Sequence, residues 1–221
     1  MSAGTSPSPS TKQQRAAERE RKLAEFRAKE ARRKRNGVII TIASIAGVAV
    51  LVTGLVLAFV FAPKPATYTA GSAGAEIEGV QTFENESAHV QGAVDYPQTP
   101  PAGGAHSPAW LNCGVYTEPV PAENAVHSQE HGAVWVTYDP SLSAEDLAAL
   151  EQKLPKTYVV LSPYEGLPSP IVLSGWNVQL EVDDANDPRI AQFLEEYWQG
   201  GQVPEPGAAC TGGVDAPGKV A

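Results

Sequence analysis

The chain has 221 residues, a formal net charge of −9 and 43% hydrophobic residues, but the charge is split. Residues 1–36 carry eleven Lys/Arg against four Glu, a net of +7, and the remainder carries five Lys/Arg against twenty-one Asp/Glu, a net of −16. The acidic part is therefore no nucleic-acid binder, and the absence of a Cys-x-x-Cys, a Gly-x-Ser-x-Gly elbow or a phosphate loop removes the commonest redox, hydrolase and nucleotide-binding motifs.

Residues 1–11, MSAGTSPSPST, are rich in Ser and Pro and are expected to be disordered. Residues 12–35 alternate Lys/Arg with Glu and Ala, and the pairs Glu18–Lys22 and Glu25–Lys29 predict a solvated helix. Residues 37–62 contain no charge and would span about 39 Å as a helix, more than the ~30 Å core of a bilayer. The cluster RRKRN (32–36) abuts this span, and only Lys64 follows soon after it. The positive-inside rule thus places 1–36, a partly disordered basic stem, in the cytoplasm and the acidic part outside the cell membrane. A cleaved signal peptide is the rival reading, but the basic region is too long and the apolar core about twice the usual length. Ala43 and Gly47 make a small-xxx-small pair that chance alone supplies in so Ala- and Gly-rich a run. The expected partners are the bilayer, through 37–62, and anionic inner-leaflet lipid, through the stem. Nothing points to nucleic acid or to an identifiable protein partner.

Residues 63–76 read as a linker, 77–213 as one extracytoplasmic domain and 214–221 as a flexible tail. The first third of the domain is turn-rich: YPQTPPAGGAHSPAW (96–110) holds four prolines and two glycines and cannot be regular structure. A clearer rhythm follows. AVWVTY (133–138) predicts a buried strand. SAEDLAALEQKL (143–154) predicts a helix with Ser143 as N-cap and Leu147, Leu150 and Leu154 on one face. TYVVLSP (157–163), PIVLSGW (170–176) and VQLEV (178–182) predict three strands. DPRIAQFLEEYWQGG (187–201) predicts a helix with Asp187 as N-cap, Pro188 at its first position, Gly200 past its end, and Ile190, Phe193, Leu194 and Tyr197 on its apolar face. The expected class is α+β with a loop-rich N-terminal third.

Two cysteines, Cys113 and Cys210, fall in the outer part, where thiols are usually oxidised, and a disulfide is expected. The rival reading makes Cys113 a metal thiolate near the histidines.

All four histidines, His89, His106, His127 and His131, fall between 89 and 131, the turn-rich third, and none in the regular half. In HSQEH (127–131) two of them are four residues apart, on one face if AENAVHSQEH (122–131) is a helix closed by Gly132. Two imidazoles so placed can chelate one ion with help from His106 or His89. Imidazole suits Zn(II) and Cu(II), whereas Cu(I) is disfavoured because Met1 is the only thioether. Glu130 is rotated about 100° from His131 around a helix and is expected to brace the site rather than ligate. The alternative is that the histidines only hydrogen-bond the loops. His-x-x-Glu-His is also the inverted zinc-protease spelling, with Glu130 as base and Glu195 or Glu196 as a further ligand. Against that, the helix is short and a strand follows at once. Ser174 is a strand residue until a base is found near it, and Asp183, Asp184 and Asp187 do not match an EF-hand.

The block 96–140 resembles the signature of domain-of-unknown-function family 3105, known from membrane-anchored actinobacterial and other bacterial proteins. The matching residues are Pro100 and Pro101, His106, Gly114 to Tyr116, and His127 to Gly132. SGW (174–176), the acidic turn near Asp183 and Pro204–Glu205 resemble later family positions, so the similarity covers roughly 80–213. The loop PPAGGAH lacks the Ser or Thr that relatives often carry there. The resemblance implies no activity. Three readings stand: a non-enzymatic envelope module binding Cu(II) or Zn(II) through its histidines, a structural or interaction domain whose histidines brace loops, and a metallohydrolase.

Overall fold

The computed structural model describes residues 11–61, 66–70 and 74–220, so the disorder expected of residues 1–10 lies outside the described residues. The chain forms two compact units, Met1–Ala62 and Pro63–Ala221.

The first unit is one helix, α1, Thr11–Val60. Stem and span, distinct in composition, are continuous because no proline interrupts them and Asn36–Gly37 costs only about 1–2 kcal/mol of helix propensity. In the stem, Lys22 Nζ lies 2.8 Å from Glu18 Oε1, the expected i, i+4 pair. In the apolar part the side chains are exposed on every face, Ile40 at 65% and Phe59 at 85%. A helix apolar all round is suited to lipid rather than water. This long apolar helix is compatible with a single-pass anchor.

The second unit is an α+β domain, as expected from the order of its elements. Its helices are α2 (Ala122–Glu130), α3 (Ala144–Lys153) and α4 (Pro188–Tyr197). Its strands are β1 (Gln81–Thr82), β2 (Gly114–Val115), β3 (Val134–Tyr138), β4 (Val159–Pro163), β5 (Ile171–Gly175) and β6 (Val178–Val182). They form a single sheet in the order β1-β6-β5-β3-β4-β2. The pairs β3–β4 and β2–β4 are parallel, and the other three are antiparallel. A parallel neighbour needs a crossover, and α3 supplies it between β3 and β4. β5 and β6 are joined by the two-residue turn Trp176–Asn177, with Asn177 at φ 63°, a conformation asparagine tolerates. The two-residue strands β1 and β2 have too short a pattern to be seen in the sequence.

Alternation along β3 divides the interior. Val134, Val136 and Tyr138 join Leu150 of α3 and Ile190, Phe193 and Leu194 of α4 in the main core. Trp135 points the other way, to Ala125 of α2, Leu111, Tyr116 and Val160. The sheet is therefore covered on both faces, which explains why its central strands are buried along their whole length. Both predicted caps form: Ser143 accepts from Asp146 N, and Asp187 accepts from Arg189 N with Pro188 in the first turn.

The edges of the domain are tied in. Tyr68, within the stretch read as linker, donates to Lys153 O at 2.6 Å and packs against Trp198. The stretch read as tail returns to β2, where Thr117 N donates to Gly218 O and Val220 N to Val115 O, and Ala216 is buried. Cys113 and Cys210, 97 positions apart in sequence, are joined as a disulfide with Cα atoms 5.4 Å apart. Cys113 is therefore not free to act as a metal thiolate.

Candidate metal centre

The site is built on α2, a helix four of whose six buried residues are polar. Ala125 to Glu130 are all buried, and His127, Ser128, Gln129 and Glu130 among them have polar side chains. Buried polar groups are tolerable only when hydrogen-bonded, and here they hold the surrounding loops. Ser128 donates to Leu111 O at 2.7 Å. Gln129 accepts from Gly103 N at 2.8 Å and donates to Pro101 O at 3.0 Å, fastening the PPAGG loop to the helix. Gly103 and Gly104 have φ of 91° and 113°, so this loop needs glycine at both positions. Gly132 ends the helix at φ 98°, and a Cβ there would lie 3.2 Å from Gln199 Cα.

The loop carries His106 to an isolated backbone bridge. His106 pairs with His89 in a parallel bridge, with Val90 N bonded to His106 O and His106 N to Ala88 O. Two residues 17 apart in sequence are thereby set side by side beneath α2, and the imidazoles gather. The ring centroid of His89 lies 4.8 Å from that of His106 and 4.9 Å from that of His127, and those of His106 and His127 are 4.9 Å apart. Trp176, from SGW, meets His106 edge-on at 5.7 Å.

The two nitrogens of each ring do different work. His106 Nδ1 lies 2.7 Å from Gly104 O, His127 Nδ1 2.7 Å from Ser107 O and His131 Nδ1 2.7 Å from Ala209 O. A carbonyl only accepts, so each Nδ1 carries the hydrogen and each neutral ring presents a bare lone pair at Nε2. This is the usual way a protein orients a metal-binding histidine. The Nε2 atoms of His106, His89 and His127 lie 2.9, 3.6 and 4.0 Å from one oxygen, Glu130 Oε2. The other carboxylate oxygen, Oε1, accepts from the Ser87 hydroxyl.

A lone pair facing a carboxylate across 2.9 Å needs a positive charge between them. One proton satisfies one such contact, whereas a cation satisfies all three. A tetrahedral ion with bonds of about 2.0–2.2 Å holds its ligand atoms about 3.3–3.6 Å apart. The four donor atoms of His89, His106, His127 and Glu130 lie within 4.8 Å of one another, so small side-chain shifts would close the shell. Burial, the largest influence, pushes the His127 imidazole below its usual value, helped by His131 and His106 and opposed by Ser107 O and Glu130. Burial works to raise Glu130, but the Ser87 hydroxyl and the neighbouring His106 and His127 outweigh it and leave the carboxyl below its ordinary range. A neutral imidazole and an ionised carboxylate are the forms that bind metal.

Two of the expected roles differ in the structure. Glu130, expected to brace the site from outside, sits at its centre. His131, expected as a ligand there, turns to Glu205 Oε2 at 3.2 Å, and His127, His131 and Glu205 form a second convergent group. The reason lies in the helix: Glu130 and His131 are indeed about 100° apart, but His127 lies between them, so it faces both sides. Ser87 and Glu205 were the residues missed as donors. Ser87 lies in the polar run 84–88, which carries no metal-ligand spacing, and Glu205 stands out in the sequence only through the resemblance at Pro204–Glu205.

Nothing in the site favours hydrolysis. Both oxygens of Glu130 are engaged and its side chain is 3% exposed, so it is not a base aimed at water. Glu196 belongs to α4, which covers the opposite face of the sheet, and accepts from Ala75 N. Ser174 is bonded to Gln179 within the sheet. The acidic turn is structural: Asp183 accepts from Ser169, Asp184 from Asn186 N, and Asp187 caps α4.

A site assembled from a loop bridge and a polar buried helix defines a histidine-rich α+β domain. A family model described as a protein of unknown function (DUF3105) matches residues 89–212, more than half of the chain, and the chain belongs to that family. No curated protein and no solved structure matches it.

Proposed function

We propose that the protein is a membrane-anchored module whose outer domain binds one divalent transition-metal ion, Zn(II) or Cu(II), without catalysing a reaction. The observation that carries this reading is the convergence of three Nε2 atoms on Glu130 Oε2, with the His106 and His127 rings locked through Nδ1 to backbone carbonyls. Three nitrogens and one oxygen suit Zn(II) or Cu(II) better than Mg(II) or Ca(II), which take oxygen. Four protein donors make a closed site, the usual form of a structural or storage site rather than a catalytic one. The −16 charge of the chain beyond residue 36 raises the local cation concentration. The charge split across α1 supports an orientation with residues 1–36 in the cytoplasm and the metal-binding domain outside.

Full-length protein purified in detergent without a histidine tag is the test. Elemental analysis after equilibration with Zn(II) should find one ion per chain, and His106→Ala together with Glu130→Gln should weaken its retention by about a hundredfold or more. Wild-type protein that retains no ion at micromolar concentration would refute the reading. It would leave the histidines as hydrogen-bonded braces, a role their Nδ1 atoms already fill.

A further inference from the structure

The second group, His127, His131 and Glu205, shares a residue with the first and differs from it in character. We infer that it is a capture position from which a metal ion is passed to the inner site, with His127 as the common ligand. This rests on the metal-binding reading above and adds a route to it.

His127 has one nitrogen to offer, because its Nδ1 is committed to Ser107 O. It therefore cannot bridge two ions, and the two positions are alternatives for one. The inner position has four protein donors, whereas the outer has three, His127, His131 and Glu205. An ion held by three donors keeps a coordination place for water and exchanges readily, while a closed four-donor shell does not.

The outer position also meets solvent with a charge. The Glu205 side chain is 49% exposed, whereas those of His131 and His127 are 4% and 5% exposed. An exposed carboxylate attracts a hydrated cation and strips part of its water, and the buried imidazoles complete the replacement. The two positions are mechanically joined. Glu205 N donates to Glu130 O at 3.1 Å, and His131 Nδ1 is held by Ala209 O, one residue from Cys210 of the disulfide. The His127 and His131 rings lie 4.7 Å apart, edge to face, with Trp110 against both at 5.8 and 5.2 Å. An ion moving inward exchanges His131 and Glu205 for His89, His106 and Glu130 while it stays bound to His127. The exposed His89, at 47%, is the competing way in.

The test is stopped-flow mixing of Cu(II) ions with the full-length protein in detergent, read by tryptophan fluorescence, since Trp110 and Trp176 flank the two positions. Wild type should quench in two phases and hold one ion at saturation. Glu205→Gln, a conservative change at an exposed side chain, should slow the fast phase about tenfold or more while changing the final affinity far less. His131→Gln should do the same. Glu130→Gln should keep the fast phase and lose the slow one. Loading that is unchanged in both Glu205→Gln and His131→Gln would overturn the route and assign access to the His89 side, leaving the inner site standing. Two ions bound at saturation would overturn it too, because the shared nitrogen forbids that. Wild type that binds no ion would refute the metal site itself and the route with it.

Discussion

Glu130→Gln separates the two uses to which the histidines can be put. The change keeps size and shape but removes the charge on which three Nε2 atoms converge at 2.9, 3.6 and 4.0 Å. If an ion binds the folded domain, it stabilises the fold by RT ln(1 + [L]/Kd), about 4.1 kcal/mol at a thousandfold excess over Kd. For a unit of this size, Pro63–Ala221, each kcal/mol shifts the melting temperature by roughly 2–4 °C, so saturating Zn(II) should raise it by about 8–16 °C. Loss of one charged ligand of four should weaken binding by about a hundredfold, or 2.7 kcal/mol. At the same Zn(II) concentration the variant then retains about 1.4 kcal/mol, a rise of roughly 3–6 °C. The assay is a pair of melts, with and without Zn(II), followed by the near-ultraviolet signal of the buried tryptophans. If the histidines only brace loops, Glu130→Gln lowers both melts alike and Zn(II) moves neither. Equal Zn(II)-induced shifts in wild type and variant would refute the placing of Glu130 at the centre of the site.

Gln129→Ala should destabilise the domain by about 2–5 kcal/mol, because it leaves Gly103 N and Pro101 O without their buried partner; chemical denaturation checks this, and Zn(II) affinity should fall with it as the His106 loop loosens. Asp187 is held below the ordinary aspartate range, chiefly by the Arg189 side chain, so its contribution is complete above the unfolded value of about 4 and fades as pH falls through the lower folded value. Asp187→Asn should therefore show a weaker loss of stability on the acid side, measured by melts across that range. The orientation is checked by protease added to intact spheroplasts, which should remove residues 63–221; a protected outer domain would reverse the topology.

Much of the architecture was legible because it depends on local pattern. The uncharged run that begins at residue 37, the Ser143 and Asp187 caps, and the apolar runs of β3 to β6 each declare themselves within a few residues; the run is helical to Val60, and the caps and strands formed where they were expected. The parallel pairing of β3 with β4, the division of the core by Trp135, and the two-residue strands were not legible. They depend on which segment lies beside which, and that is set by burial summed over the whole domain.

The site divides in the same way. Composition alone gathers the histidines in one third of the chain, and helical spacing alone puts His127, Glu130 and His131 on one side of α2. No spacing rule brings His89 to His106, which needs the parallel bridge at the end of the PPAGG loop, or Glu205 to His131 across 74 positions. Those approaches are made by the loop that Gln129 holds and by the disulfide-tied segment before Cys210. For that reason helix geometry sets His127 between Glu130 and His131, while only the tertiary structure brings His89 and His106 to Glu130 and Glu205 to His131.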